Sequence, residues 1–269
     1  MKRRGFLVSS LAASALAGAT PSVEATIAAA VPAEAGREYY ELRKYSLRRG
    51  PQQQKINDYF RDANIPALNR LGIKPVGVFN VTIGPGNPTL YVLAPHSSLE
   101  SAVTMHDRLA ADPEYLQAGA AFINATPTEP AYVRVESFLL GAFAGMPKLE
   151  LPPGAVEKKP RIFELRTYES HSKKANRTKI EMFNTAEIAI FRRAGLRPVF
   201  FGETVVGTGM PSLTYMLAFA DMEERTRCWA AFGADPEWKK LSTTPGYTDP
   251  EIVSNITNVI LSPTPYSQI

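Results

Sequence analysis

The chain has 269 residues, 45% hydrophobic and 21% charged, with a formal net charge of +4. These are the values of an ordinary globular protein with one large domain or two modest ones. Charges of both signs are mixed and no basic run occurs beyond the first residues, which argues against the one-sided Lys/Arg footprint of a nucleic-acid binder. The single cysteine, Cys228, excludes an intrachain disulfide and any cysteine-built metal site.

The N-terminus reads as a leader. Lys2, Arg3 and Arg4 precede a modestly apolar run, and small-residue cleavage options follow at Ala17-Gly18-Ala19 and Val23-Glu24-Ala25. The Arg pair before Gly5-Phe6-Leu7 predicts a twin-arginine signal peptide over residues 1–25. The run falls short of the roughly 20 residues that span a bilayer. The expectation is therefore export by the twin-arginine machinery, to the periplasm or the medium, with no stable membrane insertion after cleavage.

A small-residue leader (26–37) opens onto "YYELRKYSL", whose alternation predicts a strand. Ile56, Tyr59, Phe60, Ala63, Leu68 and Leu71 then stand at helical spacing up to Gly72, with Pro66 expected to kink that helix. "PVGVFNVTI" (75–83) and "TLYVLA" (89–94) read as strands joined by the turn "GPGNP". Ser97 with Glu100 suggests a capping box for a second helix running to about Ala118, and "AYVRVESFLL" (131–140) closes the unit. A proline- and glycine-bearing stretch, 142–159, reads as a linker.

The whole order then recurs. Glu41-Leu42-Arg43-x-Tyr45 returns as Glu164-Leu165-Arg166-x-Tyr168, "LGIKPVG" (71–77) as "AGLRPVF" (194–200), and "ADPEY" (111–115) as "ADPEW" (234–238), all at one offset of 123 residues. Three separated motifs at one offset identify an internal duplication. Residues 36–141 and 160–262 each read as βαββαβ, a ferredoxin-like unit whose four-stranded antiparallel sheet carries both helices on one face. The fold class expected is α+β, with two such repeats enclosing a space between their sheets.

Successive strand residues point to opposite faces. The expectation is that Tyr40, Leu42, Phe163 and Leu165 pack under the helices, while Glu41, Arg43, Tyr45, Glu164, Arg166 and Tyr168 face the enclosed space. Two readings follow: a buried polar network that sets the register between the sheets, or Arg43 and Arg166 as anchors for an anionic or carbonyl-bearing ligand. Tyr91 and Tyr215, on the third strand of each repeat, join Tyr45 and Tyr168 as candidate cavity walls.

The (F/Y)-Glu-Leu-Arg-x-Tyr opening, the Gly-x-(Lys/Arg)-Pro-Val entry to the second strand and the Asp-Pro-Glu-(Tyr/Trp) of the second helical region resemble the NIPSNAP family, within the dimeric α/β-barrel superfamily. The resemblance covers both repeats and implies one barrel built by a single chain. It brings no agreed catalytic residues. Fold relatives include cofactor-free monooxygenases, haem-handling enzymes and lactone isomerases, and fold alone does not assign activity.

Of three histidines, His96 reads as a surface loop residue and His106 as a packing position, since its repeat counterpart is Trp229. His171, beyond the first strand of the second repeat, is the candidate general base or haem ligand. No two histidines stand at metal-ligand spacing, so neither a metal nor a cofactor is expected. "GPGNP" and "GTGMP" link strands and cradle no phosphate. No G-x-S-x-G is present, and Cys228 reads as a small buried hydrophobe. Three functions stay open: a small-molecule binding module, an oxygenase or isomerase, and a non-catalytic envelope protein, any of them a possible homo-oligomer.

Overall fold

The computed structural model describes residues 36–86 and 88–269. The first repeat runs β1 (Tyr39–Ser46), α1 (Pro51–Asp58), a π-helical turn Tyr59–Asn64, α2 (Ile65–Arg70), β2 (Gly77–Ile83) and β3 (Thr89–His96). It continues through α3 (Leu99–Val103), α4 (Met105–Ala110), α5 (Pro113–Ala118), α6 (Ala120–Ile123) and β4 (Arg134–Ala142). The second runs β5 (Ile162–Glu169), α7 (Lys173–Met182), a π-helical turn Phe183–Glu187, α8 (Ile188–Arg193), β6 (Arg197–Val206) and β7 (Ser212–Phe219). It closes with α9 (Met222–Ala234), α10 (Pro236–Ser242), α11 (Asp249–Ile252) and β8 (Asn255–Pro263).

The eight strands form one closed antiparallel barrel in the order β1-β3-β2-β8-β5-β7-β6-β4. Each repeat supplies a four-stranded sheet, and the sheets join edge to edge at β2–β8 and β4–β6. Closure leaves no strand edge unpaired, which removes the usual site of edge-to-edge association. The strands β1, β2, β5 and β6 all run toward the same end of the barrel, as their antiparallel pairing with β3, β4, β7 and β8 requires.

Gly72 and Gly195 stop the first helical run of each repeat with φ of +79° and +85°, a left-handed conformation cheap only for glycine. Pro66 does not break the first run. Both repeats carry a π-helical turn there, although the second has Ala189 in place of the proline, so the turn belongs to the duplicated design. The second helical region of the first repeat is four short pieces instead of one helix, and its N-cap is Ser98, which accepts from the Ser101 amide, in place of the expected Ser97. The stretch 142–159 is tied to the barrel: Glu38 N–H donates to the Pro147 carbonyl at 2.9 Å and Glu150 N–H to that of Val199 at 2.9 Å.

Every strand contributes to a buried cluster inside the barrel, among them Tyr40, Leu42, Phe79, Leu140, Phe163 and Leu165. At the end where β1 and β5 begin, Ile269 completes this plug with no exposed surface, its tail held by Gln268 N–H to the Val76 carbonyl at 2.9 Å. Gly77 belongs to the same close packing, because a Cβ there would lie 2.6 Å from the Phe79 ring. Two further clusters sit between the barrel wall and the helices, around Phe60 in the first repeat and Phe183 in the second. Each such buried aromatic or aliphatic side chain contributes about 1.5–3 kcal/mol.

Candidate functional site

The barrel is plugged at one end and open at the other. Residues that alternate inward reach past the plug into a cavity of about 290 Å³ whose floor includes Leu42, Phe138, Leu165 and Val259. Above the floor, strand register sets two rows. In the first repeat Lys44 pairs with Tyr91 on one side and Glu136 on the other. In the second, Thr167 occupies the place of Lys44 and pairs with Thr214 and Thr257. One wall is thus charged and aromatic; the other is built of hydroxyls, chiefly threonines, with the Glu169 carboxylate at its outer end.

Lys44 Nζ lies 3.1 Å from Glu136 Oε2, both half-exposed at the mouth. Burial, and secondarily the Glu136 carboxylate, push the Tyr91 phenol up to about 12, so it stays protonated and able to donate at neutral pH. Thr167 and Thr214 share a hydroxyl hydrogen bond of 2.9 Å, and the Ser212 hydroxyl donates to Thr204 at 2.8 Å. Such a cavity can seat an apolar group on its floor and hold a polar end against hydroxyls, an ammonium and a carboxylate.

Of the candidate ligand-binding residues read from the sequence, Tyr91 alone lines this cavity. Arg43, Tyr45, Arg166, Tyr168 and Tyr215 lie on the outer face of the sheet, beneath the helices, and Tyr40, Leu42, Phe163 and Leu165 fill the interior. The expected assignment of the two faces is therefore reversed. The cause is room: the plugged half of a small eight-stranded barrel accepts only closely packed apolar side chains, whereas the layer under the helices accommodates long side chains whose heads find partners there. Tyr215 also differs in register from Tyr91, whose counterpart is Thr214. His171 is exposed on the loop after β5.

The polar rows form internal networks. Arg43 holds Glu41 with two bonds of 2.7 Å, and its Nη2 lies 3.4 Å from His106 Nε2 and 3.6 Å from Met105 Sδ. Glu164 accepts from Arg166 at 3.1 Å, from Arg225 at 2.7 and 2.8 Å, from Trp229 at 2.7 Å and from Asn258 at 2.6 Å. Burial opposes ionisation of Glu164, but these donors outweigh it and hold its carboxyl below the usual range. Arg166 also donates to the Tyr168 hydroxyl at 3.1 Å, which bonds that of Tyr215 at 3.0 Å.

Sequence reasoning missed a buried ion pair next to this network. Lys179 Nζ lies 3.1 Å from Glu187 Oε2, with side-chain exposures of 1% and 2%. The ammonium sits 5.6, 5.1 and 5.5 Å from the ring centres of Tyr168, Phe183 and Trp238. Eight residues along a regular α-helix are about 80° out of line; the residue inserted by the π-helical turn brings Glu187 back over Lys179. Burial works against the charge on Lys179, but Glu187, Tyr168 and Asp249 overcome it and raise its pKa above that of an ordinary lysine. The positions 123 residues earlier are Ile56 and Asn64, so a position-by-position comparison of the repeats carried the signal.

His96 is buried at 1% exposure, with Nδ1 3.1 Å from Ser101 Oγ, and so is not the surface residue expected. Burial pushes its pKa down to about 4. Cys228 is buried against the second repeat's helix layer.

Comparison with known proteins places this geometry. No curated protein matches the sequence. A candidate monooxygenase from Lactobacillus acidophilus superposes with a TM-score of 0.56 at 8% identity, over 84% of this chain and 94% of its own. One from Fusobacterium nucleatum gives 0.52 at 6%, over 85% and 93%. At those identities the likeness is one of fold. A NIPSNAP-like domain protein from Burkholderia xenovorans is 26% identical over 40% of this chain and 88% of its own, with a TM-score of 0.36. The NIPSNAP sequence profile matches residues 40–140 and 163–268. Those two stretches, together well over half the chain, are the two halves of the barrel just described: the chain belongs to the NIPSNAP family.

Proposed function

We propose that this chain is an exported binding protein that holds one small amphipathic organic molecule in the open half of its barrel. The observation that carries the reading is the division of the lumen into an apolar floor and a polar collar with two unlike walls. A molecule seated there places its apolar end on Leu42, Phe138, Leu165 and Val259. Its polar end meets Tyr91, Lys44 and Glu136 on one side and the threonines on the other. The arginines beneath the helices support the wall; they do not reach the ligand. Export rests on Arg3 and Arg4, which lie outside the described residues.

The test is native mass spectrometry of the protein recovered from its own compartment. The expected result is a retained ligand that Thr214→Trp, which fills the lumen, eliminates while the fold persists by circular dichroism. A ligand retained equally by the variant would sink the reading. Replacing Arg3 and Arg4 by lysines should leave the unprocessed chain in the cytoplasm; undiminished export would remove the twin-arginine route.

A second reading, an isomerase or oxygenase acting on the same molecule, has one observation in its favour. Tyr91, Lys44 and Glu136 stand in one row, and they are the acid and base groups that proton transfer uses. The fold neighbours described as candidate monooxygenases lend it their architecture only. Turnover of the recovered ligand that Glu136→Gln abolishes while binding remains would select this reading.

A further inference from the structure

We infer that the helix layer of the first repeat holds a binding site for a guanidinium group, built on Glu41 and His96. The site lies across the barrel wall from the lumen and does not depend on what the lumen binds. The two repeats outline it between them. In the second, Arg225 reaches Glu164 with bonds of 2.7 and 2.8 Å, and the Trp229 indole donates another of 2.7 Å. The N-caps of the two helical regions, Ser98 and Asp221, stand 123 residues apart, as do the Asp-Pro-Glu motifs, so no insertion lies between them. The counterparts of Arg225 and Trp229 are therefore Ala102 and His106. Ala102 sits on α3, which packs against β1, and brings no donor. His106 turns its Nε2 toward Arg43 Nη2 at 3.4 Å and makes no bond to Glu41.

The Glu41 carboxylate is left incompletely paired. Among the described residues it accepts from Arg43 twice at 2.7 Å and from Ser137 at 3.0 Å, without the donors that Arg225 and Trp229 give Glu164. Its side chain is 13% exposed where that of Glu164 is 0%, so a ligand can reach it. A second polar atom stands open beside it. Strand register sets Tyr39 opposite His96 and Glu41 opposite Ala94, which makes His96 a diagonal neighbour of Glu41 on the same face. His96 is 1% exposed, its Nδ1 meets Ser101 Oγ, and its Nε2 has no partner among the described residues. In the tautomer whose Nδ1–H donates to Ser101, that Nε2 is an acceptor. The second repeat has Phe219 at this position and no such atom. A buried polar atom without a partner is costly, so an occupant that donates to both groups is favoured. A guanidinium carries only N–H donors, in a planar fork that matches a carboxylate, and Arg225 shows the arrangement on Glu164. Glu164 holds Arg166 and Arg225 together, so a second cation beside Arg43 has its precedent in this chain.

The probe is ethylguanidinium, the part of an arginine side chain that alanine lacks. It is titrated into the full chain and followed by the NMR ring signals of the three histidines. His96 and His106 should shift saturably with a Kd of about 1 mM, within reach of so small a ligand, while exposed His171 in the second repeat stays unmoved. Ethylammonium, a point charge without the fork, should bind about tenfold more weakly. Ala102→Arg installs the second repeat's own residue, and Glu41→Gln removes the charge at nearly constant shape. Each should weaken ethylguanidinium about tenfold, and Ala102→Arg should do so without lowering the melting temperature. Agmatine that binds more tightly than a blocked Ala-Arg-Ala peptide would make the natural source a free guanidine compound; the reverse order would make it an arginine of a protein partner. No saturable shift, or a shift that survives both variants, overturns the proposal and leaves water to fill the gap. Equal binding of ethylammonium overturns the assignment to a guanidinium.

Discussion

The two repeats share their strand register, their left-handed glycine stops and their π-helical turns, yet differ in what stands at matched positions. Inside the barrel, Tyr91-Lys44-Glu136 faces Thr214-Thr167-Thr257. Under the helices, Ile56 and Asn64 stand where the second repeat buries Lys179 and Glu187. The copies agree at the Glu–Arg pairs of β1 and β5 as well as in backbone geometry. At the Lys44–Glu136 and Lys179–Glu187 positions, one copy carries an ion pair that the other lacks. A barrel with a perfect internal two-fold would present the same chemistry on both walls; this one does not.

The hub around Glu164 gives the largest expected effect. Glu164→Ala leaves Arg166 and Arg225 without their carboxylate inside the helix layer, and should cost about 3–5 kcal/mol in denaturant unfolding. Glu41→Ala in the first repeat should cost distinctly less, since Glu41 is more exposed and holds one arginine and Ser137. Equal losses would mean that the extra partners of the second repeat contribute nothing.

The buried pair comes next. Lys179→Ile alone strands Glu187 and should cost about 3 kcal/mol. Adding Glu187→Asn installs the first repeat's residues and should recover stability to within about 1 kcal/mol of the parent, because an apolar replacement avoids desolvating two charges. A double variant no better than the single one would show that the aromatic cage of Tyr168, Phe183 and Trp238 needs its cation.

His96 has Phe219 as its counterpart, and this difference is read by pH. An unfolded histidine takes a proton near 6.5, whereas burial holds folded His96 at about 4. As pH falls, the unfolded chain binds the proton first. The stability from the neutral ring is therefore complete above about 6.5 and lost toward 4, by about 3 kcal/mol. His96→Phe should flatten that window in urea midpoints measured from pH 7 to 4; an unchanged slope would place the acid sensitivity elsewhere.

The duplication, the order βαββαβ and the helix stops were all legible, because repeated motifs and 2.0 or 3.6 periodicity are local properties of the sequence. The direction of the faces was not. In β1 alternation separates Tyr40, Leu42 and Lys44 from Glu41, Arg43 and Tyr45, but both sets are largely buried, and polarity does not say which set faces the lumen. Lys44 was the discriminating residue: it shares a face with Tyr40 and Leu42, so an interior apolar at one end and charged at the other follows only once that face is turned inward. The π-helical turns leave no composition signature, which is why the pairing of Lys179 with Glu187 had no spacing to announce it.

The smallest stability effect and the sharpest test of the two walls are expected in the lumen itself. Lys44→Thr with Glu136→Thr converts the charged row toward the threonine row. The pair is half-exposed, so its loss should change stability by no more than about 1 kcal/mol. Tyr91 should then titrate lower, since Glu136 is one of the two causes that raise it, and this is measurable by ultraviolet absorbance between pH 9 and about 12. Binding of the native ligand should fall if the charged wall selects it, while neutral analogues of the same size keep their affinity. If ligand and analogues are retained alike, the floor and the hydroxyls alone define the site, and the asymmetry between the repeats has no part in recognition.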